Sequence, residues 1–261
     1  MIRLTDRLQC LADYVPEGSS MADIGTDHGK LPVYLLQRGV CDRVVLSDIG
    51  RGPLDRALET IEIQKPPGNF SLRQGDGLST LAKGEVDVVV IAGMGGALIA
   101  SILNHDRNKT ASFSRLILQP RNGKDKLRHF LLNHGMQIVA EDLVREGKYF
   151  CEIIIAEPTD GELPSSPTAQ LQARDLDLTL EVSPLLFQQQ HPLLIPFLEN
   201  KITIEQGILE KIHAGTRGKK PIGAHIWEQE QQCKMRIETF KALIIKAETK
   251  VIQEGEYHDI S

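Results

Sequence analysis

Between residues 20 and 157 short runs of β-branched and apolar residues alternate with longer amphipathic stretches. This alternation restricts the chain to βα units on a mainly parallel sheet. The candidate strands are residues 21–24, 43–48, 70–74, 86–92, 115–119, 137–143 and 149–158. The last two flank Val144-Arg-Glu-Gly-Lys148 and read as a hairpin turning around Gly147. The expected fold class is therefore α/β, a doubly wound sheet of seven strands over residues 1–157 whose final pair is antiparallel.

The pattern changes after the seventh strand. Residues 158–170 combine prolines with Ser, Thr and Gly and read as a linker. Residues 171–261 read as a smaller α-helical domain. Leu198, Ile202, Glu205, Leu209 and Ile212 fall at steps of three and four, as do Cys233, Ile237, Phe240, Ile244 and Ala247. The Gly- and Pro-containing segment 215–223 separates the two stripes, so the helices are expected to pair antiparallel as a coiled-coil hairpin.

Composition narrows the function classes. The net charge of −5 excludes bulk attraction to polyanions, so any grip on nucleic acid has to come from a local basic patch. Cys10, Cys41, Cys151 and Cys233 form no CxxC pair, which gives neither a zinc site nor a disulfide framework. No apolar run is long enough to span a bilayer, and Arg3, Asp6 and Arg7 stand where a signal core would be apolar. The expected location is the cytoplasm, with no membrane partner and no metal.

The chemistry gathers where the strands end. The first runs into Asp23-Ile-Gly-Thr-Asp-His-Gly29, an acid followed by glycines ahead of a helix. Gly25 permits a tight turn, and Gly29 is expected to let a ligand approach the helix without a Cβ in the way. Asp48 closes the second strand, near the spacing of roughly 20 residues at which a carboxylate receives ribose hydroxyls, and Ile49 follows it. Asp76 follows the third strand beside Gly77, where a short acid can accept adenine amino hydrogens. The fourth strand delivers Ala92-Gly-Met-Gly-Gly96, with Ala92 and Gly93 as bare backbone for the ligand. Each acid alone could equally cap a helix or close a turn, and each glycine could merely make the turn. Together they suit a cationic, phosphate-free adenosine derivative, S-adenosylmethionine. A nicotinamide or flavin dinucleotide is disfavoured because Asp27 stands where a pyrophosphate would lie.

These stretches resemble the bacterial tRNA (adenine-22-N1)-methyltransferases. The resemblance is carried by Leu4-Thr-Asp-Arg-Leu8, the DIGTDHG loop with Lys30-Leu-Pro32, Gly75-Asp-Gly77, Ile91-Ala-Gly-Met-Gly-Gly96, Leu116-Ile-Leu-Gln-Pro120 and the final strand with Glu152. It covers residues 1–157; the carboxyl-terminal helices resemble the family only in pattern. It implies a Rossmann-like methyltransferase sheet, S-adenosylmethionine as cofactor, and methyl transfer to N1 of one adenine in the D-arm of tRNA. Under it Asp27, His28, Met94, Gln119 and Asn122 are the candidates around the reacting base. Asp27 would face the developing positive charge or else bind the methionine ammonium; His28 would serve as a base or pack the loop. The family follows the LQP motif directly with Asn, whereas here Arg121 intervenes before Asn122, so both are candidates to face substrate.

An adenine in a paired arm hides N1, so the base has to be flipped or its surroundings loosened, and that requires a grip on phosphates. The candidate patch is Arg115, Arg121, Lys124, Lys126, Arg128 and His129. A second lies in Arg217, Lys219 and Lys220 between the long helices, and each patch could instead be a solvated face. The oligomeric state is expected to be a monomer or a weak homodimer through the coiled coil. Two rivals remain: a methyltransferase of the same fold acting on a small molecule, another RNA or a protein, and a non-catalytic cofactor- or RNA-binding module.

Overall fold

Alternate residues of the central strands pack into two different apolar layers, which commits the chain to helices on both sides of one sheet. In the computed structural model, described over residues 1–159, 180–216 and 224–258, the strands are β1 (Met21–Ile24), β2 (Arg43–Asp48), β3 (Asn69–Gln74), β4 (Val88–Met94), β5 (Arg115–Pro120), β6 (Met136–Glu146) and β7 (Tyr149–Pro158). Their order is β3-β2-β1-β4-β5-β7-β6, parallel except where β7 pairs with β5 and β6. Val44, Leu46, Val88, Val90, Ile153 and Ile155 enter one layer with Leu11, Leu35 and Leu36. Their neighbours Val45, Val89, Ile91, Ile154 and Ala156 enter the other with Ile99, Leu103, Leu127 and Leu131.

The helices of this part are α1 (Asp6–Asp13), α2 (Lys30–Arg38), α3 (Arg51–Gln64), α4 (Gly96–His105), the single turn α5 (Arg107–Thr110) and α6 (Lys124–Asn133). Thr5 starts α1, its hydroxyl accepting a hydrogen bond from the Leu8 amide at 3.4 Å. The order of elements places α1 before the first strand, on the layer that covers the β6–β7 pair as well as β1.

The strand boundaries differ most from the expectation at β4 and at the hairpin. Val86 and Asp87 precede β4, because the Asp87 carboxylate is engaged by the Ser20 amide (2.8 Å) and hydroxyl (2.6 Å) in the turn below it. At the hairpin the ladder continues to Glu146 opposite Tyr149, so Gly147 and Lys148 alone make the turn. Gly147 takes φ +60°, and the Arg145 guanidinium lies 5.7 Å from the Phe150 ring centre.

The chain divides into two compact units, Met1–Leu185 and Leu186–Ser261. Within the first, Arg128 Nη1 donates to the Leu180 carbonyl at 2.7 Å, and Leu180 and Val182 are buried. A short helix, α7 (Pro184–Gln188), spans the division. From residue 160 the expected linker lies outside the described residues.

In the second unit α8 (Leu194–Thr216) and α9 (Ala224–His258) pack against one another. Leu198, Cys233, Ile237, Phe240 and Ala247 are buried, as their periodicity requires. Glu205 falls in the same stripe and is buried too, matched by Arg236 Nε at 2.9 Å from its carboxylate. Arg217, Lys219 and Lys220 lie outside the described residues.

Candidate functional site

The five parallel strands β1 to β5 end at one edge, and the loops that follow them carry most of the residues singled out above. After β1 the chain turns at Gly25, φ +79°, and the amides of Gly25 and Thr26 donate to the Ser47 carbonyl at 2.8 and 3.0 Å, which folds the loop against β2. A Cβ on Gly25 would stand 2.1 Å from Met94 Cε, so this turn and the end of β4 are packed face to face. Gly29 begins α2 in the left-handed region, φ +63°. Its role differs from the expectation. A Cβ there would lie 2.9 Å from Leu46 Cδ2 and 3.2 Å from Ala57 Cβ, so the glycine serves the packing of α2 on β2 and α3, not the approach of a ligand.

Three carboxylates stand at or just beyond the ends of successive strands. Asp23 is partly buried in β1. Burial pushes its carboxyl up to about 6, helped by the Asp48 charge and opposed by the Thr26 hydroxyl and the Arg7 guanidinium. Asp48 Oδ1 accepts from the Gly50 amide at 2.7 Å, so the turn role is real, yet it occupies one oxygen only. Ile49 beside it is 69% exposed, an apolar side chain held out at a carboxylate-lined edge. The Gly75 amide donates to the Asp48 carbonyl at 3.0 Å and thereby ties the third loop to the second. Asp76 is exposed at the start of the 3-10 turn Gly77–Thr80, and its side chain makes no capping bond. Helix capping thus leaves this carboxylate unaccounted for. Gly77, φ +49°, backs onto Ile102, whose Cγ2 would be 2.9 Å from an added Cβ.

Asp27 and His28 are exposed in the first loop. Arg56 Nε of α3 donates to Asp27 Oδ1 at 3.0 Å with Nη2 on the same oxygen, and His28 Nε2 lies 3.2 Å from Oδ2. Nothing in the sequence pattern singled out Arg56.

The other half of the edge is built by β4 and β5. The ladder between them shifts register at Ala92/Met94, and Gly93 takes φ +78° in the bulge with open space where a Cβ would be. The Gly93 amide donates to Gln119 Oε1 at 3.1 Å, and Arg7 Nη1 donates to the same oxygen at 3.2 Å. Gln119 is 3% exposed. The expectation that it hydrogen-bonds the adenine edge is corrected: its oxygen is committed to the protein and its side chain lies inside. Asn122 is exposed, with Oδ1 2.9 Å from where a Gly95 Cβ would be, and its backbone carbonyl receives the Gly96 amide at 2.8 Å. The Met94 carbonyl receives the Arg121 amide at 2.7 Å. The loops after β4 and β5 therefore form one interlocked surface.

The basic patch shrinks in the structure. Arg128 is 2% exposed, with Nε 2.8 Å and Nη2 2.9 Å from the two oxygens of Glu141 and Nη2 2.6 Å from Glu152; it is a core ion pair and cannot grip phosphate. Arg115 begins β5 and so lies at the opposite edge, bound to Glu157 at 2.7 Å. Lys124 reaches buried Glu152 at 2.5 Å. Arg121, Lys126 and His129 remain exposed.

Residues 4–154 match a family described as the methyltransferase domain. The chain is 33% identical over 211 residues to the tRNA (adenine(22)-N(1))-methyltransferase of Bacillus subtilis, covering 81% of this chain and 86% of that one. The chain belongs to that family. The crystal structure of the B. subtilis m1A22 tRNA methyltransferase aligns with this methyltransferase at a TM-score of 0.77 and 30% identity, over 94% of this chain and all of the other. A Streptococcus pneumoniae protein solved in complex with S-adenosyl-L-methionine aligns at 0.71 and 29%, over 93% of this chain and all of the other. The donor set of this methyltransferase fits such a ligand. Three acids and open glycine backbone suit a cation with ribose and adenine, and the exposed Asp27 carboxylate would repel a pyrophosphate. Among the described residues no cluster of His, Cys, Asp or Glu is placed to hold a metal ion, and no helix is long and apolar enough to cross a membrane.

Proposed function

We propose that this chain methylates N1 of adenine 22 in the D-arm of tRNA, drawing the methyl from S-adenosylmethionine. Bound at the edge, that cofactor supplies a methyl group already activated on a sulfonium. The observation that carries the reading is the row of carboxylates at the ends of β1, β2 and β3, with Asp76 uncommitted to any cap. Asp23 receives the positive charge of the methionine moiety, Asp48 the ribose hydroxyls, and Asp76 the adenine amino group. Ile49 covers one face of the cofactor adenine, and Gly77, Ala92 and Gly93 give it backbone.

The residues on the β4–β5 side hold the acceptor base. Adenine N1 is itself the nucleophile, so alignment is most of the task. Met94 lines the ring and Asn122 offers an amide to its edge. Asp27, held in place by Arg56 and His28, keeps lone pairs for the positive charge that develops on the ring. Arg121 and Lys126, on the loop after β5 and on α6, meet phosphates around the base; Arg217, Lys219 and Lys220 add a second contact. The reaction belongs in the cytoplasm, and the enzyme works as a monomer or a weak dimer joined through α8 and α9. The test is transfer of radiolabelled methyl to unmodified tRNA transcripts followed by mapping of the modified base. Label at N1 of adenine 22 supports the proposal, label elsewhere assigns another substrate, and cofactor binding without any transfer removes the enzymatic reading.

A further inference from the structure

We infer that Arg7 is a positioning residue for the acceptor side of this site, acting through Gln119 on the Gly93 amide. The inference rests on the methyltransferase reading of this edge. Arg7 is partly buried in α1, and its guanidinium is fixed at two points. Nε lies 3.2 Å from Glu146 Oε2 at the end of β6, and Nη1 lies 3.2 Å from Gln119 Oε1 at the end of β5. The same Oε1 accepts the Gly93 amide at 3.1 Å. Two donors converge on one atom, so that atom has to be the amide oxygen, and Nε2 of the same amide donates to the Pro120 carbonyl at 3.3 Å in the same sense.

That orientation decides the geometry of the bulge. At Gly93 the β4–β5 ladder loses its register, and the side-chain oxygen of Gln119 takes the amide. With Arg7 removed, the primary amide is held only by the Gly93 N–H and by its own bond to the Pro120 carbonyl at 3.3 Å, and a turn of the side chain sets NH2 against the Gly93 N–H, donor against donor. The segment Ala92–Met94 would then loosen, and with it the Met94 carbonyl that holds the Arg121 amide at 2.7 Å. The disturbed groups are those facing the acceptor base. Asp48 and Asp76, on the far side of β1, keep their contacts. Glu146 belongs to the same device, because it anchors the guanidinium from the hairpin end.

The position also explains why a cation stands here at all. An arginine aimed at the base would oppose the positive charge that methylation creates. Arg7 is instead neutralised by Glu146 and spent on Gln119, so it contributes order without a bare charge.

The experiment compares Arg7→Ala, Gln119→Ala and the double variant, with Arg3→Ala as a control for loss of one exposed cation from the same segment. Turnover on saturating tRNA, cofactor affinity by calorimetry at pH 8, where Asp23 is ionised in every variant, and hydrogen exchange of the peptide containing Gly93 are measured on the full chain. Loss of a charge-assisted hydrogen bond of this kind should lower kcat roughly 10- to 100-fold. Cofactor affinity should stay within about twofold, Gly93 exchange should quicken, and the double variant should be no slower than Gln119→Ala alone. Glu146→Gln should give a smaller change in the same directions, which keeps the inference testable if Arg7→Ala does not fold. Native turnover and exchange in Arg7→Ala, or losses that multiply in the double variant, would overturn it. So would a deficit confined to the KM for tRNA, which would make Arg7 a phosphate contact. Wild-type protein that leaves tRNA unmethylated defeats the proposed function instead, and the exchange measurement then still reports on the Arg7–Gln119–Gly93 relay.

Discussion

The most informative single perturbation is the protonation of Asp23. Its carboxyl titrates near 6 in the free protein, pushed up first by burial and then by the neighbouring Asp48 charge. A cationic cofactor needs the ionised form, and once it is bound its charge should bring the carboxyl back towards the ordinary value near 4. The linkage then has a definite sign. Affinity should be flat above about pH 7, fall towards tenfold per unit as pH drops through 6, and level off near pH 4. The total change is about 100-fold for a shift of roughly two units. At pH 5 close to one proton should be released per cofactor bound. Calorimetry in two buffers of different ionisation enthalpy reads both quantities. For the free protein the sign is opposite: a raised carboxyl favours the folded state below the unfolded value near 4, and that contribution is lost as pH rises through 6. Cofactor should therefore raise thermal stability more at pH 7.5 than at pH 5. Asp23→Asn should abolish the slope and lower affinity at pH 7.5. A wild-type affinity unchanged between pH 5 and 7, or an Asp23→Asn protein that binds as tightly as the parent, would refute the assignment.

Three further outcomes are expected. Gly96→Ala places a Cβ 2.2 Å from the Gly123 carbonyl oxygen, main chain against main chain, and should cost about 2–4 kcal/mol in urea unfolding. Gly93→Ala meets no atom and should cost only the strain of its positive φ, about 1–2 kcal/mol; an equal loss for both would discredit the packing argument. Arg128→Met takes the guanidinium from buried Glu141 and leaves Glu152 to Lys124, and should destabilise the fold by about 3–5 kcal/mol in urea unfolding at pH 8. Asp76→Ala should weaken the cofactor without changing the unfolding midpoint, because the side chain caps nothing; a shifted midpoint with unchanged affinity would return it to a structural role.

The sheet was legible because both its faces are buried: Val44 to Leu46 and Val88 to Ile91 are apolar at every step, and the loops between them carry glycine and acid. The two long helices were legible from their spacing. Glu205 shows the limit of that signal, since its place in the stripe announced a buried carboxylate but not Arg236 as its partner. Arg128 was misread for a similar reason. It shares a short segment with Lys124 and Lys126, and charge counting along the chain cannot tell which member of α6 turns inward; the clue was Glu152 beside the apolar run 153–156, an acid that needs a buried cation. Gly29 was assigned to the ligand because a glycine before a helix has two physical uses, and only the positions of Leu46 and Ala57 choose between them. Arg7 stood within the Leu4-Thr-Asp-Arg-Leu8 stretch that the resemblance picked out. Its role could not be read there, since Gln119 and Glu146 come to it from far along the chain.

This edge has to satisfy demands of opposite sign. Both the methyl donor and the methylated adenine are cationic, which calls for carboxylates, while the surrounding tRNA is a polyanion that the same carboxylates repel. The chain separates the two by pairing. Three cations near the strand ends are neutralised, Arg56 by Asp27, Arg7 by Glu146 and Lys124 by Glu152, so they add rigidity without opposing the charge that forms on the base. Arg121 and Lys126, exposed on the loop after β5 and on α6, have no carboxylate within ion-pair reach among the described residues and are left for phosphate. If the pairing is what makes the two fields compatible, Lys126→Glu should weaken tRNA binding and reduce its salt dependence while leaving turnover at saturating tRNA intact. Arg7→Ala should do the reverse.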